Sequence, residues 1–189
     1  DSGPHNEKFA DAEARSAART EEGSAPWTAP EGLPDIYIAM GQTAENVVQA
    51  TGISRERQDE WGVASQNRAE AALNRGFFER EITPYTLPDG TVVSTDDGIR
   101  AGTTLEKVST LNPVFRPDGT VTAGNACPLN DGAAAVVVRS DTRAAELGIQ
   151  PTARIGSSGV SALNPEIMGL GPIEACKQAM GRAGMTIDD

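Results

Sequence analysis

Residue types that make or break covalent bonds are scarce in this chain. Among its 189 residues only Cys127 and Cys176 are cysteines, and the single histidine is His5. A zinc centre takes its ligands from closely spaced Cys, His or carboxylates. Neither a Cys-x-x-Cys pair nor a histidine cluster is present, so no metal ligands are assigned. A cysteine nucleophile needs a base or cation beside it to lower its pKa, and no histidine lies near Cys127 in sequence. No catalytic residue is therefore assigned to this stretch. Two cysteines do not make a disulfide scaffold, and reduced cytosolic thiols are the simpler expectation.

Charge narrows the partners. The formal net charge is −11, with 16 Lys and Arg against 27 Asp and Glu. No basic cluster exists to meet a phosphate backbone, which excludes nucleic acid as a partner. No apolar run approaches the roughly 20 residues of a membrane helix. The residues Asp1 to His5 lack the basic and apolar regions of a signal peptide, so a soluble cytoplasmic protein is expected.

The elements that must position any site can be read next. Hydrophobic residues make up 38% and aromatics 4%, so the core must rest on Ala, Val, Ile and Leu, with close helix–sheet packing. Residues 6–19 can form a short helix within an otherwise extended or poorly ordered N-terminal arm. Residues 36–40 read as a strand or an irregular lead-in to a helix over 43–51, stopped by Gly52. Ser54 caps a longer helix to Arg75, with Trp61, Ser65, Ala69, Ala72 and Leu73 on its apolar side and Gly76 ending it. Two runs around Pro88-Asp89-Gly90 suggest a hairpin, and residues 104–111 a short helix. The continuous apolar run Ala133 to Val138 suggests a buried central strand, followed by a Ser140-capped helix to Leu147 and a further strand over 153–157. Pro172 opens a last helix through Ala183, with Cys176 as buried packing and Gly184 as its stop. Strand–helix–strand–helix ending in mid-unit reads as a truncated α/β layer.

Four segments carry a family resemblance. They are Met40-Gly-Gln-Thr-Ala-Glu-Asn46, Ser54-Arg-Glu-Arg-Gln-Asp59 with Ala64-Ser65-Gln66, Gly119-Thr-Val-Thr-Ala-Gly-Asn-Ala126 with Asn130-Asp-Gly-Ala-Ala134, and Met168-Gly-Leu-Gly-Pro172. Together and in this order they resemble thiolases, from about Leu33 to the C-terminus. The resemblance implies part of an α/β thiolase fold. Residues 1–129 would be the loop domain with its coenzyme A contacts, 130–150 the last strand and helix of the N-terminal core domain, and 151–189 the truncated start of the C-terminal core domain. The implied activity is acyl transfer between 3-ketoacyl-CoA or acyl-CoA and coenzyme A, in fatty-acid or lipid metabolism. The family's nucleophilic cysteine, and its N-E-A-F, G-H-P and C-x-G-G motifs, have no match here, so this chain alone is expected to be inactive.

The resemblance also implies where substrate is met. Coenzyme A enters as a substrate, and no covalently bound cofactor is implied. Arg100 corresponds to a position beside the adenine, where a guanidinium can stack and attract phosphate. Lys107 stands where the adenosine end is contacted, Ala123 where a backbone carbonyl meets the pantetheine arm, and Cys127 where many thiolases have a serine beside it. Met40 and Met168 correspond to acyl-pocket methionines, and Leu33 to the pantetheine channel. Ala39 replaces a histidine common in the family. Glu45 and Asp59 are expected to orient helices and make salt bridges, and Asp131 to fix the Asn130-Asp-Gly turn, because the family mechanism uses none of them. A homodimer or homotetramer is implied for the full enzyme. The alternatives are a non-catalytic coenzyme A or acyl-CoA-binding module and a purely structural remnant.

Overall fold

A computed structural model describes residues 3–22 and 26–189. Parts of the arm, residues 1–2 and 23–25, lie outside the described residues. The remainder of the arm is folded. A 3-10 turn, Glu7–Phe9, is capped by the Asn6 side chain and runs into helix α1, Ala10–Glu22. Tyr37 anchors it: the His5 ring stacks on Tyr37 at 4.0 Å, Phe9 meets the same ring edge-on, and the tyrosine hydroxyl accepts from the Asn6 amide.

Helix boundaries follow local chemistry closely. Residues 36–39 are an irregular lead-in to α2, Met40–Thr51. Helix α3, Arg55–Asn74, begins where the Ser54 hydroxyl accepts from the Arg57 amide at 3.2 Å. Thr104 caps α4, Leu105–Ser109; Ser140 caps α5, Asp141–Glu146. Pro172 sits in the first turn of α6, Gly171–Ala183. Gly52, Gly76 and Gly184 all take positive φ just beyond helices, as left-handed caps do. The hairpin forms as two short antiparallel strands, β1 Tyr85–Thr86 and β2 Val92–Val93. Asp89 folds its carboxylate onto the Thr91 amide at 2.9 Å, which holds its pKa below the ordinary carboxylate value.

The centre of the packing is unusually polar. Buried apolar residues are Ala12, Ile38, Ala72, Val108, Val121 and Ala144, all small or medium-sized. Glu45, Asn46, Asp59 and Thr122 are the largest side chains with almost no exposure. They lie where α2, α3, the 114–125 segment and the 3-10 segment Pro165–Leu170 converge.

Several expectations need correction. Residues 133–138 are not a strand: Val136, Val137 and Val138 are 86%, 81% and 70% exposed, with no ladder partner among the described residues. Residues 153–157 are likewise unpaired, and Ile155 is 75% exposed. A β-branched run becomes a central strand only when neighbours take up its backbone groups, and no described segment does so. Helix α3 buries Ala72 of the expected apolar side but leaves Trp61 and Leu73 exposed. Trp61 is 69% exposed under the Arg68 guanidinium, whereas Asp59 is 1% exposed. Cys176 is exposed on α6 rather than buried. No turn forms around Asp131. The structure is thus mostly helical with a small sheet, as part of a larger α/β fold would be.

Candidate functional site

Helix α3 organises the first half of the site. Asp59, Gly62, Gln66 and Glu70 are spaced three and four apart, so they line one stripe of the helix. Three of them hold a piece of a facing loop, and Gly62 lets one approach. The Gln66 Oε1 atom accepts from the Arg100 amide at 2.8 Å, and Glu70 Oε2 from the Gly102 amide at 2.9 Å. Within that loop the Arg100 carbonyl accepts from the Thr103 hydroxyl at 2.6 Å, and Lys107 Nζ reaches the Gly102 carbonyl at 3.3 Å. The backbone around Arg100 is therefore fixed, while its exposed guanidinium has no hydrogen-bond partner among the described residues.

The same stripe grips the turn at residues 120–125. Asp59 Oδ1 accepts from Asn125 Nδ2 at 2.9 Å, while its other oxygen is held by Arg55 Nε at 2.8 Å. Asn125 also donates to the Thr120 carbonyl at 3.0 Å and accepts from the Thr122 amide at 2.8 Å. Two glycines allow the approach. A methyl group on Gly62 would collide with the Gly124 carbonyl, and one on Gly124 would lie 2.6 Å from Val108 Cγ1. Ala123 is exposed at the apex of this turn, directly after fully buried Thr122, and exposed Cys127 follows two residues after Asn125. The structure thus places Arg100 and Ala123 on loops, and Lys107 on α4, against one helix.

Leu33, Met40 and Met168 belong to a second group, on segments assembled around Glu166. That carboxylate accepts from the Asp35 amide at 2.9 Å and from Trp27 Nε1 at 3.2 Å, and the Glu166 carbonyl accepts from Asn46 Nδ2 at 3.0 Å. The Leu33 carbonyl takes a bond from Arg15 Nη2 at 2.6 Å. The three apolar side chains themselves stay about half exposed.

Buried polar groups of α2 join the two halves. Glu45 accepts from the Thr120 amide at 2.8 Å and the Val121 amide at 2.9 Å. Arg116 donates to Gln42 Oε1 and Asn46 Oδ1, both at 2.8 Å. Burial, followed by the charge of Arg19, lowers the Arg116 pKa from its ordinary value, against the raising effect of Glu45 and Asp118. Arg116 and Glu166 were missed in sequence reading. Arg116 follows Pro113-Val-Phe in a segment with no periodicity, and nothing local marks it as buried. Glu166 carried one signal, an Asn two residues earlier whose side chain caps its amide at 3.0 Å.

Among the described residues this arrangement brings no nucleophile and base together. His5 is occupied by Glu13 at 2.6 Å on α1, and Cys127 therefore has no histidine from this chain. Among the described residues no group of His, Cys, Asp and Glu could hold a metal ion, and no helix is long and apolar enough to cross a membrane.

Comparison with known proteins places this geometry. The family model described as thiolase, N-terminal domain, matches residues 5–142. An acetyl-CoA acetyltransferase of Cupriavidus necator is 49% identical over 165 residues, covering 84% of this chain and 42% of that protein. One from Paracoccus denitrificans is 50% identical over 164 residues, with the same coverage. Among solved structures, the acetyl-CoA acetyltransferase of Bacillus anthracis superposes with a TM-score of 0.75 at 42% identity, over 82% of this chain and 40% of that one. The dimeric peroxisomal thiolase of Saccharomyces cerevisiae gives 0.78 at 34% identity, over 99% of this chain and 43% of that one. The chain spans about two fifths of the length of the curated relatives it matches, 42% of each of these two.

Proposed function

The chain belongs to the thiolase family, and on that premise we propose that it is the coenzyme A-cradling portion of an acyltransferase. The reaction is acyl transfer between 3-ketoacyl-CoA or acyl-CoA and coenzyme A, by Claisen condensation or its thiolytic reverse. The observation that carries this reading is the α3 stripe, where Gln66, Glu70 and Asp59 fix the backbones that present Arg100 and Ala123. Arg100 supplies a planar cation for the adenine and phosphates. Lys107 adds charge at the adenosine end. Ala123, at an exposed apex, lets the pantetheine arm come close to its backbone carbonyl, with Cys127 beside it. Leu33, Met40 and Met168 line the pantetheine and acyl end.

Residues 1–129 act as the loop domain, while 130–150 and 151–189 contribute pieces of the two core domains. The bond-making steps belong to groups outside this segment. There a cysteine takes the acyl group as a thioester, a second cysteine moves the proton at the acceptor's α-carbon, and oxyanion holes stabilise the developing charge. The full enzyme works in the cytoplasm in lipid metabolism, as a dimer or a pair of dimers. One structural relative is described as dimeric. The exposed valines of 136–138 argue against a self-sufficient binding module.

Calorimetric titration with coenzyme A tests the proposal. The chain should bind it saturably, and Arg100→Ala should weaken binding about tenfold, the scale of one charge-assisted contact. Equal affinity in the folded variant, or no binding by the parent chain, would remove the basis for this site.

A further inference from the structure

A cavity of about 310 Å³ opens between α1, α2 and the 165–170 segment, lined by Arg15, Ser16, Arg19, Trp27, Arg116 and Glu166 among others. Its lining comes from the N-terminal arm, Ile38, Asn46 of α2, Arg116 and Glu166, and includes neither Arg100 nor Ala123. Its charge is the reverse of the chain's. Among the described residues, three guanidinium groups and one carboxylate line it, in a protein whose formal net charge is −11.

Most of these groups have their partners. Glu166 spends both carboxylate oxygens on the Asp35 amide and the Trp27 indole. Arg15 donates to the Leu33 carbonyl, and Arg19 Nη2 to Gln49 Oε1 at 2.5 Å. Arg116 keeps a donor in reserve: it is 3% exposed, Nε and Nη2 donate to Gln42 and Asn46, and buried Nη1 has no hydrogen-bond partner among the described residues. A charged N–H taken out of water with nothing to donate to is costly, and a guanidinium does not escape the cost by losing its proton. The charge of Arg19 acts on Arg116 in the same unfavourable sense, while Glu45 and Asp118 act against it. An anion seated in the cavity relieves both the missing bond and the cation–cation repulsion.

We infer that this cavity is an oxyanion site, in which Arg116 Nη1 donates to a phosphate-like group while Arg15 and Arg19 close over it from α1. The volume exceeds the roughly 30 Å³ share of one water several-fold, so an oxyanion fits together with bridging water. Guanidinium forks suit phosphate oxygens geometrically. Such an anion ties the arm to α2 through charge. Its source is either a free anion or a phosphate of coenzyme A, and competition separates the two.

The experiment is titration of the chain with inorganic phosphate, followed by calorimetry and by Trp27 emission in a Trp61→Phe background, with potassium chloride at equal ionic strength as the control. Phosphate should saturate and shift the emission where chloride does not. Arg116→Gln should weaken phosphate binding about tenfold or more. Because Arg116 also braces Gln42 and Asn46, Arg15→Gln and Ser16→Leu carry the test with that network untouched; each should weaken binding severalfold in a chain with parent-like circular dichroism. Phosphate displaced by coenzyme A identifies the substrate's own phosphate as the occupant, and phosphate left in place identifies a free anion; both support the site. A response that follows ionic strength alone, or unchanged affinity in folded Arg116→Gln and Arg15→Gln, overturns it and leaves water as the occupant.

Discussion

Glu45 gathers the amides of Thr120 and Val121 on a carboxylate that is 2% exposed, and so joins α2 to the turn that presents Ala123. Truncation would leave two backbone N–H groups buried without an acceptor, each costing about 1–3 kcal/mol. Glu45→Ala should therefore lose about 3 kcal/mol of stability, measured as a fall in the urea midpoint, and should weaken coenzyme A binding through the displaced turn. A loss below about 1 kcal/mol would mean that water replaces the carboxylate. The role of Asp59 was legible in sequence as an ion pair, here with Arg55, whereas Glu45, expected in a salt bridge, holds two backbone amides instead. The position of Arg116 was not legible, since its burial depends on α2 groups some seventy residues away, Gln42 and Asn46. Cys176 misled for a related reason: amphipathic spacing names a face of α6 but not what covers it, and here Cys176 is exposed.

Helix ends were readable, whereas helix faces were not. Ser54, Thr104 and Ser140 each cap through a local side-chain bond, which depends on three residues only. The buried face of α3 depends on its partner, and the 120–125 turn offers amides and a carboxamide rather than apolar surface, so a polar stripe packs inward. Gly62 makes this contact testable. Alanine there adds roughly 1 kcal/mol of helix propensity, yet its methyl would meet the Gly124 carbonyl. The turn cannot retreat easily, because Asn125 is bonded to Asp59 and to the Thr120 carbonyl. Overpacking should prevail, with Gly62→Ala destabilised by about 2 kcal/mol and its coenzyme A affinity reduced. A stabilised variant with unchanged affinity would show that the helix and turn slide freely past each other.

Surface area joins these local observations at the scale of the molecule. The chain exposes 14113 Å², whereas a compact protein of 19.7 kDa is expected to expose roughly 8,600 Å². Part of the excess lies in apolar extended segments, with Val136, Val137, Ile155 and Val160 all more than 70% exposed. These are the runs whose composition reads as buried strand; composition carries that expectation, but pairing has to come from neighbouring strands. If 130–150 and 151–189 are core-domain pieces, their unpaired backbones are open to a protease in this chain and closed in a full-length thiolase that contains them. Elastase, which cuts beside small aliphatic residues, should nick first within 133–138 and 153–160, leaving α2, α3 and the turn at 120–125 as a resistant product by mass spectrometry. In the full-length protein the same sites should resist for at least tenfold longer, because cleavage then requires opening of a packed sheet. Equal protection of 133–138 and α3 in this chain would mean that the valines are covered in solution, and equal nicking in the full-length protein would remove them from its core.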